Sequence, residues 1–198
     1  MHADFYDHRY YDDLGKSNYA GYTFESSPFA EHADAVIRML DHYGLRGPVL
    51  DVGCAKGYLV YLLRQRGVEA YGVDWSEYAV SSASTDVRPH LRRASATQLP
   101  FSDGQFAAAF SFDVFEHLDQ DTARNAFVEC ARVSTRQLHQ INTGRLAEWC
   151  YDGDASHCLK LPLSDWRTIA AELDLHTTVI CEPDRNLPFL TPVTPVAD

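Results

Sequence analysis

The sequence is poor in positive charge, has no cysteines at C-x-x-C spacing, and contains no long hydrophobic run. Its 17 Lys and Arg stand against 28 Asp and Glu, a net charge of −11 with nine histidines counted as neutral. A surface of that sign repels phosphate backbones and anionic lipid, so neither nucleic acid nor a membrane is expected as a partner. No apolar stretch approaches the ~20 residues that span a bilayer. The opening Met1-His2-Ala3-Asp4-Phe5-Tyr6-Asp7 has neither the basic nor the apolar region of a signal peptide. Five cysteines (Cys54, Cys130, Cys150, Cys158, Cys181) form an odd set, which speaks against a disulfide framework and for a reduced, cytoplasmic chain. Cys150, His157 and Cys158 lack the tight pairing of structural zinc sites, and no metal is expected.

What is present suits one domain over residues 1–198, with 45% hydrophobic and 23% charged residues. The first 27 residues are crowded with Phe5, Tyr6, Tyr10, Tyr11, Tyr19, Tyr22 and Phe24 and show neither helical nor strand periodicity. Ser27-Pro28 reads as an N-cap with Pro at the first helical position, and Phe29, Ala33, Val36, Ile37 and Leu40 recur at helical spacing up to Gly44. From Val49 onward, short apolar runs alternate with helices. Strands are expected at Val49–Val52, Val68–Val73, Leu91–Ala94, Gln105–Phe112, Arg136–Asn142 and Leu175–Cys181, and Ser76 and Ser164 read as helix caps. This alternation implies an α/β, doubly wound, Rossmann-like sheet, mostly parallel, with helices on both faces.

The sharpest motif is Asp51-Val52-Gly53-Cys54-Ala55-Lys56-Gly57 after the first strand. In such folds the turn at the reversal of strand order is where ligands bind, and Asp74 closes the next strand where a carboxylate can take both hydroxyls of a ribose. Gly53 permits the tight turn, and Gly57 is expected to let the helix approach the ligand. A dinucleotide fingerprint needs two further glycines where this chain has Ala55 and Tyr58. An acid two residues before the turn also suits a cationic ligand better than a pyrophosphate.

With Tyr71-Gly72-Val73-Asp74, Leu99-Pro100-Phe101-Ser102-Asp103-Gly104-Gln105-Phe106 and Phe112-Asp113-Val114-Phe115-Glu116-His117-Leu118 following in order, the chain resembles the class I S-adenosylmethionine-dependent methyltransferases. The resemblance is strong over residues 45 to 135. It implies a seven-stranded sheet, S-adenosyl-L-methionine as cofactor and S-adenosyl-L-homocysteine as product. It implies that Asp51, Gly53, Cys54 and Gly57 line the methionine part, the Asp51 carboxylate facing the ammonium directly or through water. Asp74 would hold the ribose, Trp75 would flank the adenine, and Ser111 and Phe112 would pass beneath the methionine. Ser95, beside Ala96, stands where many relatives have an Asp that accepts from the adenine amino group. The aromatic N-terminus (residues 1–45, with the first helix) either packs on the sheet or closes over the cofactor, with Tyr19 or Tyr22 reaching its carboxylate.

The acceptor is expected to be a small molecule methylated on oxygen or nitrogen, by a monomer or homodimer. The rival reading is a non-catalytic nucleoside-binding protein or partner subunit of the same fold. The long connection over 143–163 is expected to adjoin the acceptor. There His157 can accept a proton at neutral pH, oriented by Asp154, unless it only anchors the loop. His117 is the next candidate for that role. His139 reads as a satisfied strand histidine, and Asp113 as a helix cap or a substrate contact.

Overall fold

A computed structural model describes residues 3–13, 21–26, 28–143, 156–175 and 178–181. The alternation in the sequence becomes α1 (His8–Asp12), α2 (Phe29–His42), β1 (Val49–Val52), α3 (Tyr58–Gln65), β2 (Ala70–Asp74), α4 (Glu77–Ser82), β3 (Leu91–Arg93), β4 (Ala108–Phe112), α5 (Gln120–Val133), β5 (Gln137–Gln140), α6 (Leu163–Glu172) and β6 (Thr178–Cys181). The six strands lie in the order β3-β2-β1-β4-β5-β6. Every pairing is parallel. The six strands are those expected from the sequence. The family's seventh is not among the described residues, which end at Cys181.

All four residues of β1 are buried, as a central parallel strand covered on both faces requires. Alternate side chains leave on opposite faces. Val49 packs with Val36 of α2 and Leu59 and Leu63 of α3. Leu50 and Val52 pack with Cys130 and Val133 of α5. The strand order runs outward from β1 in both directions, so β1 and β4 flank the crevice at their carboxyl ends.

Two expected caps fall elsewhere. Pro28 and Pro162, not Ser27 and Ser164, stand at the starts of α2 and α6, with no side-chain cap. Ser27 itself lies outside the described residues. Proline's fixed φ and missing N–H suit a boundary with no donor to satisfy. Ser76 does cap α4, accepting from Ala79 N at 3.0 Å, and Asp119 caps α5, accepting from Thr122 N at 2.9 Å. The stretch of residues without periodicity contains α1, started by Asp7, whose carboxylate accepts from Arg9 N and Tyr10 N.

The Leu99–Phe106 block is held by Arg132 of α5. Its guanidinium donates to the carbonyls of Leu99 and Phe101 and to Asp103 and Glu129. Gly53 turns at φ +82, and a Cβ there would collide with the Val114 side chain. Gly57, at φ +77, is pressed instead against Leu91 and Val87. The absence of a Cβ there serves the packing of the turn on Leu91 and Val87. Gly53→Ala should lower the unfolding free energy by about 1–3 kcal/mol in urea titrations. Gly104→Ala, at φ +62 with nothing within 4 Å, should cost clearly less, and equal losses would contradict the close packing at Gly53.

Candidate active site

Two buried carboxylates crown the adjacent strands β1 and β2. Asp51 is 4% exposed and Asp74 9%. Asp74 accepts from Ala55 N at 2.8 Å and from Ser76 N at 2.7 Å. These bonds favour its charged form, but burial outweighs them and raises its pKa to about 6. Burial, and then the charge of Asp74, pushes Asp51 well above the carboxylate range. Among the described residues none donates a hydrogen bond to the Asp51 carboxylate. A buried acid pair with one member so placed could hold a cationic group, because a buried charge needs a partner.

The glycine turn itself is closed on the sheet, with Gly53 N and Cys54 N both donating to Val73 O. The Cys54 side chain presses against Gly72, and burial raises its thiol pKa far above the reactive range. Only the backbone of Cys54 and Gly57 thus remains for the lining role that the resemblance implied. Trp75, beside Asp74, is 40% exposed. Ser95 orders its own turn, its hydroxyl 2.8 Å from Thr97 Oγ1 and accepting from Thr97 N. Ala96 packs among the core side chains.

Ser111 and Phe112, expected beneath a ligand, direct their side chains into the protein. Phe112 stacks on His32, ring centroids 4.2 Å apart. Ser111 Oγ lies 2.8 Å from His139 Nδ1, and His139 Nε2 lies 2.9 Å from Gln137 Oε1. With Nε2–H donating to the Gln137 carbonyl, Nδ1 accepts from the serine hydroxyl. Burial pushes the His139 pKa down to about 3, so it is a neutral structural histidine. Asp113 is no helix cap. It follows β4 at φ +53, accepts weakly from Gln140 Nε2 at 3.4 Å, and is raised by burial to about 6.

The N-terminal segment lies on this crest. Tyr10 and Tyr11 are buried against Ala55 and Ala79. Ser76 Oγ donates to Tyr6 O at 2.5 Å, and Lys56 Nζ pairs with Asp12 at 2.5 Å. Burial and the nearby Asp74 raise the Tyr11 phenol well above its ordinary pKa. Tyr22 N donates to Tyr11 O, and the Tyr22 ring stacks on Tyr58 at 5.7 Å. Tyr19 lies outside the described residues. Sequence reasoning passed over Tyr10 and Tyr11 because a helix of five residues shows no periodicity; Asp7 three residues before Tyr10 was the available signal.

Beyond β4 and β5 a second group converges. The rings of His117 and His157 stand 4.6 Å apart at 75°, and Glu116 joins them. Glu116 Oε1 accepts from Asn142 N at 3.1 Å, and its carbonyl accepts from Cys158 N and Leu159 N. Ser156 Oγ lies 2.8 Å from His117 Nδ1, while Asp154, expected to orient His157, is outside the described residues. Glu116 stood unremarked within its motif, and only the fold brings it to His157. Tyr6 reaches this group as well, its ring 6.3 Å from that of His117. A separate cleft of about 420 Å³, lined by Tyr61, Arg64, Glu69 and Asp86 among others, opens beside the start of β2, at the opposite end of that strand.

Residues 50–137 match the methyltransferase domain family. Over 87 residues the chain is 38% identical to a probable S-adenosylmethionine-dependent methyltransferase of Mycobacterium tuberculosis, covering 43% of this chain and 31% of that protein. Among solved structures, a SAM-dependent methyltransferase from Archaeoglobus fulgidus superposes with TM-score 0.61 at 19% identity, over 76% of this chain and 70% of that one. A geranyl diphosphate C-methyltransferase from Streptomyces coelicolor superposes with TM-score 0.56 at 18% identity, over 72% and 60%. Over residues 50–137, fewer than half of its length, the chain is similar to S-adenosylmethionine-dependent methyltransferases, and the solved structures show a likeness of fold. It spans from 31% to 46% of the length of the curated relatives it matches.

The raised pKa of Asp74 fixes the sign of a pH effect. The folded state holds this proton up to about pH 6, whereas an unfolded Asp releases it near 3.9. The favourable contribution is therefore complete below the unfolded value and is lost as pH rises through about 6. Between pH 5 and 7.5, the ligand-free protein should lose roughly 1–1.5 kcal/mol relative to Asp74→Asn. A pH-independent difference in urea unfolding between the two proteins would contradict the buried, raised carboxyl.

Proposed function

We propose that the chain binds S-adenosyl-L-methionine on the crest of β1 and β2 and transfers its methyl group to an oxygen or nitrogen of a small-molecule acceptor. The observation that carries this is the buried Asp51–Asp74 pair, which suits a ligand bearing a cationic ammonium and a ribose. Asp51 takes the ammonium, Asp74 the ribose hydroxyls, and exposed Trp75 one face of the adenine. Backbone of the Gly53–Gly57 turn lines the methionine part, and Ser95 lies toward the adenine edge. Tyr10, Tyr11 and Tyr22, with Tyr19 nearby in sequence, close over it. A bound S-adenosylmethionine supplies a methyl group already activated on a sulfonium, so approach and alignment account for much of the rate.

The acceptor belongs at Glu116, His117 and His157, the polar group beyond β4 that touches Tyr6 of the covering segment. Two imidazoles and a carboxylate suit an acceptor heteroatom that begins protonated. The net charge of −11 supports a small acceptor over nucleic acid, and the protein acts in the cytoplasm as a monomer or homodimer.

Calorimetry should show S-adenosylhomocysteine binding at micromolar affinity and no response to NAD. Asp74→Ala should weaken that affinity by ~1.5–3 kcal/mol, the range for hydrogen bonds to a charged group. Binding of NAD without S-adenosylhomocysteine would overturn the reading. His157→Ala should lower kcat by ~10²–10⁴-fold while leaving S-adenosylhomocysteine affinity nearly unchanged. Wild-type turnover in that variant would remove the cluster from the reaction.

A further inference from the structure

The geometry points to a binding site for one divalent transition-metal ion, of the zinc type, held by Glu116, His117 and His157. We rest only the ion's role, not its binding, on the methyltransferase reading above. The three residues each offer one ligand atom, and these atoms all lie within 4.8 Å of one another. Ligands at about 2.0–2.2 Å from a zinc ion stand roughly 3–4 Å apart, so small side-chain rotations bring the three onto one ion. Two imidazole nitrogens and one carboxylate oxygen form the donor set of zinc centres that keep an open position. Two nitrogen ligands also favour a borderline ion over magnesium or calcium, which take oxygen.

The site is built rather than assembled from loose surface groups. The Glu116 side chain is buried and fixed by Asn142 N on Oε1 at 3.1 Å. The Glu116 carbonyl accepts from Cys158 N at 2.8 Å and Leu159 N at 3.0 Å, which ties the segment carrying His157 to the residue beside it. Buried Ser156 holds His117 through Nδ1 at 2.8 Å. In the tautomer where Nδ1–H donates to that hydroxyl, Nε2 carries the lone pair, the outer-sphere arrangement that orients metal-bound histidines. Three separated stretches of chain, around residues 116, 142 and 157, are thereby locked around one point. That separation is why the sequence, searched for clustered cysteines and histidines, pointed to no metal.

An ion here lies at the acceptor end of the site. Its open position takes a hydroxyl oxygen of the acceptor and lowers the pKa of that hydroxyl, whose proton passes to water. The histidines then act as ligands instead of as the proton acceptor expected from the sequence, and the acceptor class narrows to hydroxyl-bearing molecules.

The test uses the full chain, stripped with a chelator and titrated with Zn²⁺ by calorimetry and with Co²⁺ by visible absorption. One equivalent should bind, with Co²⁺ giving the d–d bands of a nitrogen- and oxygen-ligated ion. His157→Ala and Glu116→Gln should each weaken binding by at least ~10-fold, as should His117→Ala, while His42→Ala, remote on α2, should not. His157 is half-exposed, so His157→Ala carries the test if Glu116→Gln fails to fold. S-adenosylhomocysteine titrated into the same samples reports on the donor site separately: its failure to bind would sink the methyltransferase reading and leave the metal site standing. Absence of stoichiometric binding by the wild type would overturn the proposal. So would binding unchanged in His157→Ala, or binding lost only in Cys158→Ser.

Discussion

Two carboxylates held out of water at the ends of neighbouring parallel strands are the constraint around which this molecule is arranged. The register pairs Asp51 with Gly72 and Val52 with Val73, so Asp51 and Asp74 reach the same end of the sheet. Leaving them there requires the turn that follows β1 to supply donors. Ala55, at φ +48, gives its N–H to Asp74, while Gly53 and Cys54 tie the turn to Val73. The turn can take that shape only with glycine at 53, since any side chain would strike Val114. Ser76 gives a second donor to Asp74, caps α4 and also holds the N-terminal segment through Tyr6. The raised pKa of both acids measures how incomplete this compensation is without a cation.

The covering segment belongs to the same electrostatic arrangement. Tyr10 and Tyr11 add further apolar burial above the acids, which strengthens any interaction made there by lowering the local dielectric. Lys56, within the glycine motif, does not neutralise the pair; its ammonium is held by Asp12 of the covering segment. The positive charge nearest in sequence is thus turned outward as a clasp, and the acids keep their preference for a cationic ligand.

The strand–helix alternation, the turn at Gly53 and the placement of Asp51 and Asp74 were legible because each depends on local signals: a short apolar run, a glycine at positive φ, an acid at a strand end. The packing of Ser111, Gly57 and Cys54 was not legible, for one shared reason. Each belongs to a motif that borders the site, yet its side chain or Cβ position faces the sheet interior, toward His139, Leu91 and Gly72 respectively. Periodicity tells which face of a strand a residue takes but not which neighbour waits there. The Pro28 and Pro162 boundaries were misread, by one and by two residues, because serine and proline both favour helix starts. The grouping of Glu116 with His157 was beyond reach, because 41 positions of chain separate them and the hydrogen bonds from Cys158 N and Leu159 N to the Glu116 carbonyl, with Ser156 Oγ beside His117 Nδ1, bring them together.

The crystal structure of the complex with S-adenosylhomocysteine tests the central claim most directly. The expected result places the ligand's ammonium within hydrogen-bond distance of Asp51, or one water away, and both ribose hydroxyls on Asp74, with Tyr11 and Trp75 against the ligand. A ligand seated elsewhere, such as in the cleft beside Arg64 and Glu69, or one whose ammonium avoids Asp51, would contradict it.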